Sequence, residues 1–428
     1  MADSVADSLS DTRAAPPDPR LALPLWRQPE YRLLWGAQVV STLGSHAAGI
    51  VVPLLILAMT DSPAAVGIAS ALGIVPYLLL CLPVGALIDR WDRRRVMVCC
   101  DLGRMLVSAS VPVAILLDRL TLGHLYAVAA VHGTLMVFFN IAEVAALPRV
   151  VAKAQLPDAV AQNQVGYASA AIVGPALGSW AYQSLGRALP FVLDAVSYAA
   201  SALALWRLRT DFSPPPNPAP LDLKREMQIG LRWLWSQRLV RDLAFLTGGS
   251  NFVHAALPLL MIVLAKAQGA SAAQIGLIFS CTGVGAVLGG LVGPWVQRRW
   301  HFGPVLCGTL VLQALLLPLV FWVHSPLGLG LVYGAIMFCA PIYNVVQFSH
   351  RLALIPDGLQ GRVNSAYRLL AHCLQPVGAA LCGVLIEAWG TAPTLLLFGL
   401  TLAGLALVAG VDRAIRLEGR GGVGRWYV

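Results

Sequence analysis

The stretch Val66 to Ile88, VGIASALGIVPYLLLCLPVGALI, carries no charge over 23 residues and runs directly into DRWDRRR, Asp89 to Arg95. At about 1.5 Å per residue a helix of that length crosses a hydrocarbon core ~30 Å thick. An arginine cluster directly behind it belongs on the cytoplasmic side of the membrane. Working outward, similar apolar blocks cover Leu33 to Leu57, Val96 to Leu117, Leu122 to Ala146, Val160 to Tyr182 and Pro190 to Trp206. Six more follow at Leu243 to Leu264, Ile275 to Val296, Phe302 to Val323, Leu327 to Phe348, Ser365 to Ile386 and Pro393 to Ala409. The expected fold is an all-α polytopic membrane protein of twelve transmembrane helices in two six-helix halves.

Composition agrees, because 57% of the 428 residues are hydrophobic and 12% are charged, against roughly 25% charged in a soluble domain. The net charge of +9 is spread over many short loops, which excludes the concentrated basic face of a nucleic-acid binder. The eight cysteines all lie in apolar blocks without CxxC spacing or histidine clusters, so neither metal nor disulfide is expected and no cofactor is implied. No G-x-x-x-x-G-K-[ST] loop is present to drive an ATP-powered pump. Neither HExxH nor GxSxG occurs, nor a loop large enough for a soluble sugar donor, which argues against a membrane enzyme.

Alternate assignment of the loops places 26 of the 30 lysines and arginines on one side, so both termini are expected in the cytoplasm. Residues 1–24 read as a disordered tail, 25–206 as the first bundle, 207–242 as a linker, 243–412 as the second bundle and 413–428 as a second tail. Within the linker a Pro-rich piece, Ser213 to Pro220, precedes Leu223, Met227, Leu231, Leu234 and Trp235 at steps of three or four, the pattern of an interfacial helix on the inner leaflet. The halves match at drifting offsets, with His46 falling on His254, Gly85 on Gly293 and Pro175 on Pro376. A duplicated bundle with its site between the halves follows.

In GALIDRWDRRRVMV, Gly85 to Val98, a glycine would let two helices approach closely and Asp89 could cap a neighbouring helix N-terminus. The segment resembles the loop G-x-L-x-D-R-x-G-R-[RK] of the major facilitator superfamily. Gly85, Leu87, Asp89, Arg90, Arg93 and Arg94 match it, and Asp92 replaces the usual glycine. The resemblance implies a cytoplasmic gate built from Gly85, Asp89, Arg90, Arg93 and Arg94. The second-half counterpart has Gln297 in place of the acid. GPALG, with Gly174, Pro175 and Gly178, looks like the exporter-associated motif of the same superfamily. Three phrases, YRLLWGAQVVSTLGS from Tyr31, FVLDAVSYAASAL from Phe191 and IPDGLQGRVNSAYRLL from Ile355, resemble the bacterial branch that includes the enterobactin exporter and macrolide-efflux proteins. The fourth block lacks the arginine found in many proton-coupled antiporters.

Charges inside hydrocarbon are functional candidates because they are expensive to keep there. Asp101, Arg104 and Glu143 are read as a proton-coupling network, with Asp101 and Arg104 on one helical face; Asp194 reads as a structural hydrogen-bonding acid. By the resemblance, spans one, four, seven and ten line the central cavity, making His46, His132, Asn140, Asn251, His254, Tyr343, Asn344 and Gln347 candidate substrate contacts. The expected function is proton-coupled efflux of an amphipathic small molecule, such as a drug or siderophore, by alternating access. The setting is a functional monomer in the lipid of a bacterial inner membrane, with no nucleic-acid partner. A transporter fold turned sensor is the alternative.

Overall fold

A computed structural model describes residues 23–213, 223–356, 359–412 and 415. The expected tails and the Pro-rich piece beyond Ser213 fall almost entirely outside these residues. Every described element is helical: α1 Pro29–Thr60, α2 Pro63–Ile88, α3 Arg93–Leu116, α4 Leu122–Val150, α5 Leu156–Leu185 and α6 Leu189–Trp206, then α7 Leu223–Ser236. After these come α8 Arg238–Ala267, α9 Ala272–Arg299, α10 Phe302–Leu316, α11 Pro326–Leu354, α12 Gln360–His372, α13 Gln375–Trp389 and α14 Thr391–Val411.

Among the described residues, eleven helical stretches are long and apolar enough to cross a membrane. The remaining expected span, α5, has the length, but Gln162, Asn163 and Gln164 lower its hydropathy. The eleventh expected span is continuous in length yet broken between α12 and α13. Pro376 lacks the N–H that would bond the carbonyl of His372, and the chain turns there. Arg351, just beyond the tenth expected block, lies inside α11, and Arg368, within the eleventh, lies in α12.

The first six helices pack among themselves, α1 on α5 and α6, α3 on α4 and α6, α2 on α4; α8 to α14 form a second group. Helices in lipid associate by close packing of small residues. Accordingly, a Cβ at Gly133 would strike the carbonyl of Gly73, and Cβ atoms at Gly285 and Gly289 those of Gly334 and Phe338.

Two seams join the groups, α2 against α13 and α5 against α9. Both are tight near the α1–α2 turn. Gly67 faces the carbonyls of Ala379 and Ala380, and Gly276 faces Pro175 and Ser179. Each seam ends in a side chain that caps a helix of the other group. Glu387 accepts from the Ser62 hydroxyl (2.6 Å) and the Ala64 N–H (3.3 Å), while Gln183 accepts from the Ala273 N–H (2.9 Å). At the other end of α2, a Cβ on Gly85 would meet nothing within 4 Å. The groups are therefore pinned at the Ser62 end, while space remains beside Gly85 at the other. Helix α7 lies against α12 and α8 and approaches α2, with Gly230 seated on the Arg362 carbonyl. It buries Leu234 and exposes Met227, Leu231 and Trp235.

Candidate functional site: the gap between the helix groups and the buried charges beside it

The loop after α2 is organised within its own group. Asp92 caps α3, accepting from the N–H groups of Arg94 (2.9 Å) and Arg95 (3.2 Å). The capping expected of Asp89 is thus performed by the residue that replaces the superfamily glycine, because only Asp92 precedes the helix start. Asp89 ends α2 and stands 4.0 Å from Arg93, its side chain 62% exposed. Arg93 donates to the carbonyls of Phe212 and Ser213, and Arg94 to that of Leu208. Both therefore grip the chain leaving α6, which Glu30 also holds through the N–H groups of Arg209 and Thr210. Arg90 is exposed. The bonds of Asp89, Arg93 and Arg94 among the described residues thus stay within the first group and the chain that leaves it.

GPALG has two faces because its residues wind around α5. Gly174 abuts His46 and Gly178 abuts the Ala47 carbonyl, which seats α5 on α1. Pro175 and Ser179 look the other way, onto Gly276 of α9. The motif is both a packing surface inside the first group and half of a seam between groups.

Behind α1 and α4 lies a buried polar cluster. Arg104 donates to Asp101 and is flanked by the rings of Phe139 (4.2 Å) and Tyr198 (4.5 Å). Ser201 donates to the second oxygen of Asp101, and Ser108 donates to Asp194 at 2.6 Å. The Tyr198 hydroxyl is shared between His132 (2.8 Å) and Ser45 (2.7 Å). Glu143 completes the set near Gln38 and Arg104. Asp101 is 0%, Asp194 1%, Arg104 4% and Glu143 9% exposed, so three carboxylates and one guanidinium share a site that solvent hardly reaches. Such a cluster is stable only with its partners in place. Asp194 and His132 belong to it, which sequence spacing alone did not reveal, since the contacts cross from α6 to α3 and α4.

The eight cavity candidates divide. Asn140 and Asn344 are exposed, on α4 and α11. His46 packs edge-on against Tyr167, with ring centroids 5.3 Å apart. The others turn inward: His132 to Tyr198, Asn251 to the Ala371 carbonyl (2.8 Å), His254 to Gln313 (2.6 Å) and Tyr343 to Thr247 (3.0 Å). Gln347 is buried, its amide nitrogen without a partner. His46 and His254 match in sequence but not in surroundings. A recess of about 150 Å³ lies between α1 and α2, lined by Gly49, Pro53, Ile56, Val66 and Ser70 among others, too small for the 300–1,000 Å³ that drug-sized ligands occupy.

With this geometry in view, the chain matches the transmembrane secretion effector family over residues 22–418. It is 28% identical over 397 residues to the multidrug efflux pump Tap of Mycolicibacterium fortuitum, covering 88% of this chain and 94% of that protein. It is 26% identical over 387 residues to the enterobactin exporter EntS of Citrobacter koseri, covering 89% and 91%. Among solved structures, the nucleoside transporter NupG superposes with a TM-score of 0.70 at 13% identity, covering 90% of this chain and 98% of that one. A bacterial homologue of the iron transporter ferroportin in an inward-facing state gives 0.65 at 16% identity, covering 90% and 100%.

Proposed function

Because the chain belongs to the transmembrane secretion effector family, a transporter family within the major facilitator superfamily, we propose that it exports an amphipathic small molecule in exchange for protons. It is a multi-pass membrane transporter and not an enzyme. In this reading residues 25–206 and 243–412 are the two rocking bundles, 207–242 the linker, and 1–24 and 413–428 cytoplasmic tails. The Gly85 end faces the cytoplasm of a bacterial cell and the Ser62 end faces outward.

The observation that carries the reading is the asymmetry of the seams. Glycine contacts and two cross-group caps close the Ser62 end, while a Cβ at Gly85 would meet free space at the other. Rocking about these seams would release Glu387 and Gln183 and bring Gly85 and Asp89 onto the second group, exposing the gap to the other side. The exporter names of the relatives support the outward direction. Asp101, Arg104 and Glu143, with Asp194, supply the coupling. A proton taken up by one carboxylate alters which acid holds Arg104, and that change of partner sits directly against the cavity helices α1 and α4. Asn140 and Asn344 offer amides to the cargo, and one chain suffices for the cycle.

The test uses everted membrane vesicles with a dye reporting the pH gradient, while drugs and siderophores are added in turn. Wild type is expected to dissipate the gradient with its substrate; Asp101→Asn at equal abundance is expected to lose most of that response. Unchanged, pH-independent responses in Asp101→Asn would remove the coupling assignment.

A further inference from the structure

The charges that a solute in the gap would meet are not those of the buried cluster. Arg368 lies in α12, inside a membrane span, and is exposed. An exposed guanidinium in a span faces water, because hydrocarbon contact costs several kcal/mol. Its position identifies which water. His372, one turn along the same face, meets Tyr77 of α2 across the seam, with ring centroids 5.9 Å apart, and Cys81 of α2 is close to Arg368. Beyond these residues comes Gly85, where no atom approaches. Arg368 therefore stands in the gap between the groups, just past their last ring contact.

No described side chain pairs with Arg368, and its neighbour is another cation, Arg351. Arg351 is 3% exposed and stacked on Tyr367 at 3.5 Å and Phe348 at 5.3 Å, without a carboxylate among the described residues. One turn back on α11, the buried Gln347 amide nitrogen is also without a partner, as is the Arg351 Nε. Between Leu243 and Val411 the sequence holds only two acids. Glu387 is at the far, Ser62 end, and Asp357 lies outside the described residues. Across the gap the acids inside the spans of the first group, Asp101, Glu143 and Asp194, are 0 to 9% exposed, and the exposed Asp89 at the end of α2 stands 4.0 Å from Arg93 of its own group.

We propose that Arg368 is the anion-recognising residue of the cavity, backed by the field of Arg351, and that the cargo is an amphipathic organic anion bearing a carboxylate, phenolate or sulfonate. This deepens the export reading and rests on it for the word cargo. The recognition is physical: a planar guanidinium donates two N–H groups to such a group in a cavity where the local dielectric is low.

The experiment measures binding, so that it does not depend on transport. Purified full-length protein in zwitterionic-lipid nanodiscs is titrated against fluorescein as the anionic probe and rhodamine 6G as the cationic one, by fluorescence polarisation. Wild type is expected to bind fluorescein at least tenfold more tightly than rhodamine 6G. Arg368→Gln should lose about tenfold in fluorescein affinity, the effect of one charge-assisted contact, with rhodamine 6G unaffected; Arg368→Lys should keep most of it. Thermal melting establishes that the variants are folded. Displacement of fluorescein by added phosphatidylglycerol would support the same anion site with a lipid as its occupant. No fluorescein binding, equal or tighter binding of rhodamine 6G, or an unchanged fluorescein affinity in Arg368→Gln overturns the assignment. Absence of flux in vesicles, with these binding results intact, would instead overturn export.

Discussion

Arg104 and Arg351 are both buried and both stacked on aromatic rings, one in each helix group, yet Arg104 is bonded to a carboxylate and Arg351 has none among the described residues. The first group encloses three acids around its arginine; in the second, Arg351 and Arg368 have no carboxylate partner among the described residues, and Arg368 is presented to the gap. Residues 204 apart make the divergence concrete. Phe139 and Tyr343, and Asn140 and Asn344, correspond in position and burial, while Glu143 is matched by Gln347. A duplicated scaffold thus keeps its shape while one copy holds titratable acids and the other a fixed positive field. Under the proposed function, proton handling and cargo recognition fall to different walls.

The largest effect that would break this comparison is at Arg104. Arg104→Leu leaves Asp101 charged and unpaired in the core, and a loss of about 3–5 kcal/mol is expected, read as a lower melting temperature or lost folded yield. Adding Asp101→Asn should recover much of it. Arg351→Leu strands no carboxylate among the described residues, so its loss should be closer to the ~1–2 kcal/mol of a buried cation–π contact. Equal losses at the two arginines would mean that the groups do not differ as described.

Next in size is the contrast between two glycines of the first group. Gly178→Val has no room against Ala47, and overpacking of this kind costs about 1–3 kcal/mol. Gly85→Val meets open space in this conformation and should leave the melting temperature unchanged. It should nevertheless slow transport, because closure of the Gly85 end brings that face onto the second group. A Gly85→Val protein with full flux would show that this face never closes.

The smallest effect concerns the two seams. Glu387 and Gln183 are also 204 residues apart and cap opposite groups. Glu387→Ala and Gln183→Ala should each weaken the Ser62-end closure by about 1 kcal/mol, a several-fold shift toward the state open at that end. Glu387 is expected to have the greater effect because it accepts two bonds. Distances between spin labels across the Ser62 end, measured for each variant, check the order.

Much of this was legible in the sequence because hydrocarbon imposes a one-dimensional rule. A backbone in lipid must satisfy its own hydrogen bonds, so the lengths of the apolar blocks and the sidedness of the arginines already describe the helices and their class. The amphipathic face of α7 follows from the spacing of single residues, whereas the helix break at Pro376, inside one expected block, was not read from it. Asp101 and Arg104, three apart, could be paired on one helix without knowing any other.

What the sequence could not decide was which side chains meet across helices. His46 and His254 align, but one packs on Tyr167 while the other bonds Gln313, since each environment is supplied by a helix more than fifty residues away. Asp89 was the expected cap and Asp92 is the actual one, a matter of which acid stands immediately before the first turn of α3. Arg368 falls inside the eleventh expected block, Ser365 to Ile386; only the packing of α12 against α2 places it beside the gap. Local chemistry fixes the helices one at a time, whereas the charge that a cargo meets depends on how those helices are brought together.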